Sequence, residues 1–110
     1  MATYLLLVYT RPVPGREDEY HAWYDGSHLA EVLTVPGFTV ARRFAVEPPL
    51  AFEASQSGDG GNRYVAMFTV ETDDIDATMT TFDDMRGHFA PSPAIDLDSV
   101  HFELLRAIGS

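Results

Sequence analysis

Tyr24, Asp25 and His28 fall within one short segment, Trp23–Phe38, which reads WYDGSHLAEVLTVPGF. On a continuous helix Tyr24 and His28 share a face, about 40° apart around the axis, and Asp25 stands three residues before the imidazole. An imidazole at the edge of an apolar pocket, oriented by a carboxylate and close to a phenol, can take a proton from a phenol or an activated carbon and return it elsewhere. Such a group suits dehydration, isomerisation or enolisation of a hydrophobic, aromatic or polyketide-like molecule. No metal or organic cofactor is required. The same histidine, beside the Gly26-Ser27 break, also reads as a packed hinge residue, and the sequence leaves both readings open.

Other side chains can complete a binding site. Trp23 and Tyr20 offer large apolar surfaces with one polar handle each, either as core packing against a sheet or as a wall that stacks an aromatic ligand. Arg42 interrupts an apolar strand face. Three roles stand for it: holding a ligand oxyanion or carboxylate, lying along the surface on its own stem, or meeting an acidic partner in a second copy. Tyr9 and Tyr64 can supply phenols to a pocket. His21 falls off the aromatic face and reads as solvated, while His88 follows Gly87 at a helix end, where a cation is favoured structurally.

Several chemistries are excluded. With no cysteine in 110 residues, disulfides, thiolate metal sites and a catalytic thiol are ruled out. No two histidines at helical spacing flank a glutamate, so a metalloenzyme of the H-E-x-x-H kind is absent, and the glycines of GDGGN have no following helix to cradle a phosphate. Seven basic against seventeen acidic residues give a formal charge of -10, which repels nucleic-acid backbones and anionic lipid surfaces. No run approaches the ~20 apolar residues that span a bilayer, and the expected location is cytoplasmic.

The elements that must position these residues follow from periodicity. Thr3–Thr10, TYLLLVYT, is apolar in both alternating sets and stopped by Pro12 and Pro14, which predicts a strand buried on both faces. Glu17, Asp18 and Glu19 open a helix whose face carries Tyr20, Trp23, Tyr24, His28 and Val32. Gly26-Ser27 weakens it, Ser27 is placed to cap a short second helix to Leu33, and Val35-Pro36-Gly37 ends it. Phe38–Glu47 alternates as a half-buried strand, with Phe38, Val40, Phe44 and Val46 on one side and Thr39, Ala41, Arg43 and Ala45 on the other. Pro48–Asn62 reads as a long hairpin loop, Arg63–Glu71 as a second doubly apolar strand, and Asp73-Asp74 as the start of a helix ended by Gly87. Asp98–Ile108 supplies the last strand.

The order β-α-β-β-α-β predicts a single α+β domain over residues 1–110: a ferredoxin-like, four-stranded antiparallel sheet with both helices on one face. Two helices cover one side only, yet the central strands are apolar on both. A second copy packed sheet to sheet meets that need, so a homodimer is expected.

Gly15–Leu29, GREDEYHAWYDGSHL, followed by Val35-Pro36-Gly37-Phe38 and Ala41-Arg42-Arg43-Phe44, resembles the EthD-like branch of the dimeric α+β barrel superfamily. Its members share a helix-borne WY-D-x-x-H pattern and a PGF-type turn into strand two. The resemblance implies a homodimer whose sheets close a barrel and a small-molecule pocket between sheet and helices in each subunit. Dehydratases, cofactor-free monooxygenases and isomerases occur in the superfamily, alongside many proteins without a known reaction; the alternative to an enzyme here is a non-catalytic homodimer that binds a small molecule or accompanies a stress response. Haem-degrading relatives place a tryptophan on the sheet, whereas the one tryptophan here, Trp23, lies on the first helix.

Overall fold

Alternation of apolar side chains along the two central strands decides the architecture. The computed structural model describes residues 1–47 and 63–109. The order is β1 (Ala2–Thr10), α1 (Glu17–Trp23), α2 (Leu29–Val32), β2 (Phe38–Ala45), β3 (Tyr64–Thr72), α3 (Ile75–Arg86) and β4 (His101–Arg106). The sheet runs β2-β3-β1-β4 with every neighbouring pair antiparallel, which is the ferredoxin-like arrangement with β1 and β3 at the centre. The expected hairpin loop, Pro48–Asn62, lies outside the described residues.

One sheet face is dry. Leu6, Val8, Ala66, Phe68 and Val70 are buried there beneath Tyr20, Tyr24 and Val32 of the first helical segment. Phe82 of α3 stacks on Phe38 with ring centroids 5.3 Å apart. Each such side chain removes its apolar surface from water, worth about 1.5–3 kcal/mol when complete, so this layer fixes which way the helices face. Helix α3 contributes Ile75, Met79, Phe82 and Met85 only as partly buried neighbours of that core. It is the more peripheral helix, capped by Asp74, whose carboxylate accepts from the Ala77 backbone N–H at 3.1 Å.

The opposite face is apolar but less covered. The cross-strand row Glu103, Leu7, Met67 and Arg42 runs from β4 to β2, flanked by the rows His101-Tyr9-Val65-Phe44 and Leu105-Leu5-Thr69-Val40. Val40, Phe44 and Leu105 are 45%, 39% and 47% exposed.

Two local features govern the entry to β2. A bulge between Phe38 and Val40 shifts the β2 register, so Phe38 shares its face with Ala41 and Arg43 while Val40, Arg42 and Phe44 turn outward. The expected grouping of Phe38 with Val40 and Phe44 is therefore corrected. In the turn before β2, Gly37 has φ +95°, and a β-carbon there would sit 3.1 Å from the Glu71 carbonyl. That junction requires glycine.

Candidate functional site

Helix α1 does not end at Gly26-Ser27; it widens. Residues Tyr24–His28 form a π-helical turn in which the Leu29 N–H bonds to the Tyr24 carbonyl, and Ser27 Oγ donates to the Trp23 carbonyl at 3.1 Å. Ser27 is therefore not the cap expected for α2; its hydroxyl bonds back to a carbonyl four residues earlier. The consequence is positional. Residues five apart come together, and the His28 imidazole stacks on the Trp23 indole with centroids 4.2 Å apart and planes at 16°.

A cavity of about 380 Å³ opens beside this pair, between the first helical segment, the sheet and α3. Trp23, Tyr24 and His28 line it together with apolar groups such as Val8, Phe68, Phe89 and Ile95. Its size suits a ligand of two or three fused rings. The loop after α3 closes one side, held to the chain after β1 by Val13 N–H to the Ala94 carbonyl (2.7 Å) and Asp96 N–H to the Arg11 carbonyl (2.9 Å).

One backbone unit of that loop clamps the site. Ala90 accepts from Trp23 Nε1 at 2.9 Å and donates through its N–H to Glu31 Oε2 at 3.1 Å. The other oxygen of Glu31 faces His28 Nδ1 at 3.7 Å, beyond hydrogen-bond length, and both atoms are buried with no other partner among the described residues. The carboxylate companion of His28 is thus Glu31, three residues after it, and not Asp25. This spacing was legible, because i and i+3 are neighbours on a helix. With Nδ1 turned to a carboxylate, the tautomer protonated at Nδ1 is the favoured one, and it leaves Nε2 as the ring's basic atom.

Burial lowers the His28 pKa, and the opposing attraction of Glu31 does not cancel the effect. The imidazole is therefore a neutral base at pH 7. Because the unfolded chain binds this proton more readily, stability attributable to His28 is full above the ordinary value of about 6.5 and falls as pH drops below it. Thermal melts at pH 7 and pH 5 are expected to show a smaller loss on acidification for His28→Gln than for the unsubstituted protein.

Tyr24 takes a different part from a proton relay. Burial pushes its phenol up to about 12, with the Thr10 hydroxyl and the Arg43 guanidinium only partly offsetting it. It stays protonated, and its ring packs edge-on against His28 at 5.3 Å. Thr10 itself is buried and hydrogen-bonded to the Tyr20 hydroxyl.

The remaining candidates lie outside this cavity. Asp25 binds Arg43 Nη1 at 2.9 Å. Tyr64 packs edge-on against His21, centroids 4.7 Å apart, which makes His21 a packed residue and not a solvated one. Arg42 points to the outer sheet face, over the Phe44 ring at 5.1 Å, because the bulge turned it there. Tyr9 is on that face too, beside His101, and burial together with a hydrogen bond to Glu103 raises its pKa.

Arg43, and not Arg42, is the arginine that the β2 bulge places on the helix-facing side of the sheet. Its guanidinium lies 4.5 Å from the Tyr24 ring centre, 5.4 Å from Tyr20 and 5.8 Å from Tyr64, and also bonds His21 Nδ1 at 3.0 Å. Its side chain is only 13% exposed. Replacement by Met keeps the stem but removes the charge, stranding two polar partners and three aromatic faces. Allowing for the exposed Asp25, the expected cost is about 2 kcal/mol, a fall in Tm on the order of 10 °C, measured by thermal denaturation.

Among the described residues, no three His, Asp or Glu side chains gather as a ligand set for a metal ion, and no helix is long and apolar enough to cross a membrane. No family model matches the chain, and no curated protein matches it. Solved structures do. Rv0793 from Mycobacterium tuberculosis superposes with a TM-score of 0.54 at 13% identity, covering 98% of this chain and 97% of that one. A presumptive monooxygenase from Shewanella loihica PV-4 gives 0.53 at 15% identity, covering 100% and 99%. An EthD family protein from Bacillus halodurans C-125 gives 0.53 at 12% identity, covering 94% and 96%. At such identities the likeness is one of fold, end to end: the chain has the ferredoxin-like α+β fold that these proteins share.

Proposed function

We propose that this chain is a small cofactor-independent enzyme that binds a hydrophobic, aromatic or polyketide-like molecule in the cavity and moves a proton with His28. The observation that carries the reading is an imidazole at an apolar cavity with its Nδ1 facing the Glu31 carboxylate. His28 Nε2 takes a proton from an activated C–H or phenolic O–H; the imidazolium is stabilised by Glu31; the proton returns to another atom of the same molecule or to water. Dehydration, isomerisation and the deprotonation that precedes oxygenation all begin in this way. The monooxygenase and EthD names of the structural neighbours agree with an enzymatic role.

Trp23, stacked on His28, forms the wall against which a flat ligand lies, and Tyr24 sets the imidazole by packing. The outer sheet face, apolar along its centre and charged at Arg42 and Glu103, supports a homodimer formed sheet to sheet.

The test uses 2-tetralone, a bicyclic ketone with exchangeable protons beside its carbonyl. In D2O the protein is expected to accelerate loss of the C1 proton signal over buffer, followed by proton NMR. A second reading, a non-catalytic binder, is favoured by one observation: His28 is packed among Trp23, Tyr24 and Phe89, which gives the imidazole a structural role. Binding of 2-tetralone without faster exchange would select that reading.

A further inference from the structure

The cavity lining contains no acidic side chain and one cationic side chain, Arg86, in the last turn of α3. Its guanidinium stands between two aromatic rings, 5.9 Å from the centre of Phe82 and 5.3 Å from that of Phe102. Nε donates to Asp83 at 2.8 Å, an in-helix pair that aligns the group. Neither Nη atom has a hydrogen-bond partner among the described residues. Arg86, Phe82 and Phe102 also line a second groove between α3 and β4 that continues to Leu6, Met79 and Leu104. Arg86 therefore sits where the enclosed cavity meets the open groove, its stem on aromatic carbon and its two terminal nitrogens available.

We infer that Arg86 is the specificity-determining residue of this cavity and selects ligands that carry an anionic oxygen, a carboxylate or an enolate-type oxygen, on an aromatic body. The inference rests on the cavity being a small-molecule site, as proposed above. A protein with a formal charge of -10 repels anions from most of its surface, so an acidic ligand needs a local reversal of sign. Arg86 supplies it at the junction of the cavity and the groove, where an apolar body can enter while its charged end stays near water. The planar guanidinium, on a side chain that is 45% exposed, can offer two parallel N–H groups to a carboxylate. Arg42 cannot serve here, because it faces the other side of the sheet.

The experiment compares 2-naphthoate with 2-acetylnaphthalene, which has the same ring system and nearly the same shape without the charge, by calorimetry on the full chain. The unsubstituted protein is expected to bind the acid about 10-fold more tightly, as one charge-assisted contact at a partly exposed site allows. Arg86→Met, which keeps the stem between Phe82 and Phe102, is expected to reduce that preference to about 2-fold or less with the ketone's affinity unchanged. Asp83→Asn, which frees the guanidinium from its neighbour, is expected to raise the acid's affinity about 2-fold. Acid preference retained in Arg86→Met, or equal binding of the two ligands by the unsubstituted protein, overturns the assignment of Arg86 while leaving the cavity reading intact. Binding of neither ligand overturns both.

Discussion

Exchange of the 2-tetralone C1 protons in D2O is expected to fall by about 10²–10⁴-fold, to the buffer rate, when His28 is replaced by Gln, the range attributed to a positioned general base. Glutamine holds the polarity and much of the volume of the imidazole, so Trp23 keeps a stacking partner and the cavity keeps its shape. Ligand affinity should therefore change little while exchange is lost; this split separates a base from a wall. Glu31→Gln tests the second half of the mechanism. The Ala90 N–H still finds an acceptor in the amide oxygen, so the clamp persists, but the imidazolium loses its facing charge. A drop of about 10-fold in exchange is expected, since a partly exposed carboxylate at this distance contributes on the order of 1 kcal/mol. The pH profile should separate the two variants as well. In the unsubstituted protein exchange falls on acidification as His28 Nε2 is occupied, and Glu31→Gln moves that fall to lower pH, because the attraction that opposes burial has gone. A profile unmoved by Glu31→Gln would remove Glu31 from the mechanism.

The fold was legible because its evidence is redundant. Both alternating sets of β1 and β3 are apolar, and each strand reports independently that two faces must be covered. The VPGF junction is equally direct, since Gly37 adopts a backbone angle closed to other residues and approaches Glu71 too closely for a β-carbon. Trp23, Tyr24 and His28 were legible as a group because short sequence distance guarantees proximity on any helix. What failed depended on exact angle. A regular helix turns about 100° per residue, and the π turn at Tyr24–His28 breaks that count between Asp25 and the imidazole, whereas Glu31 stands at an ordinary i+3 spacing after it. One residue of slip at Thr39 likewise reverses every later side chain of β2, moving Arg42 out and Arg43 in. A single inserted residue leaves no periodic trace in a strand of this length. Arg86 was hidden for a different reason: in the last helical turn a basic residue already has a structural role beside the negative end of the helix.

The π turn and the β2 bulge are joined by one side chain. They meet at Arg43, whose contacts with Asp25, His21 and the tyrosines tie the first helical segment to β2. Across the cavity, α3 has no fully buried side chain. His28 and Trp23 line one wall of the cavity, and Phe82 and Arg86 of α3 line the other.

Met67→Glu is expected to convert a dimer into a 12.2 kDa monomer at micromolar concentration, read by light scattering. Met67 lies in the central row of the outer sheet face, with Leu7 on one side and Arg42 on the other. Placed sheet to sheet against a second copy, a carboxylate there is buried near the centre of the contact and, by two-fold symmetry, near its own counterpart; desolvation costs several kcal/mol per ion. Both copies carry the change, so dissociation constants rise by more than about 10³-fold. In the separated chain the same carboxylate faces water and lies opposite Arg42, a favourable cross-strand pair. The helix-side core is untouched, and the monomer should keep its circular dichroism spectrum and its His28 exchange activity if one chain supplies the whole cavity. Loss of exchange together with the dimer, in a chain that remains folded, would instead mean that the second copy completes the site. An unsubstituted protein that already sediments as a monomer would end the sheet-to-sheet proposal and leave this apolar face to another partner.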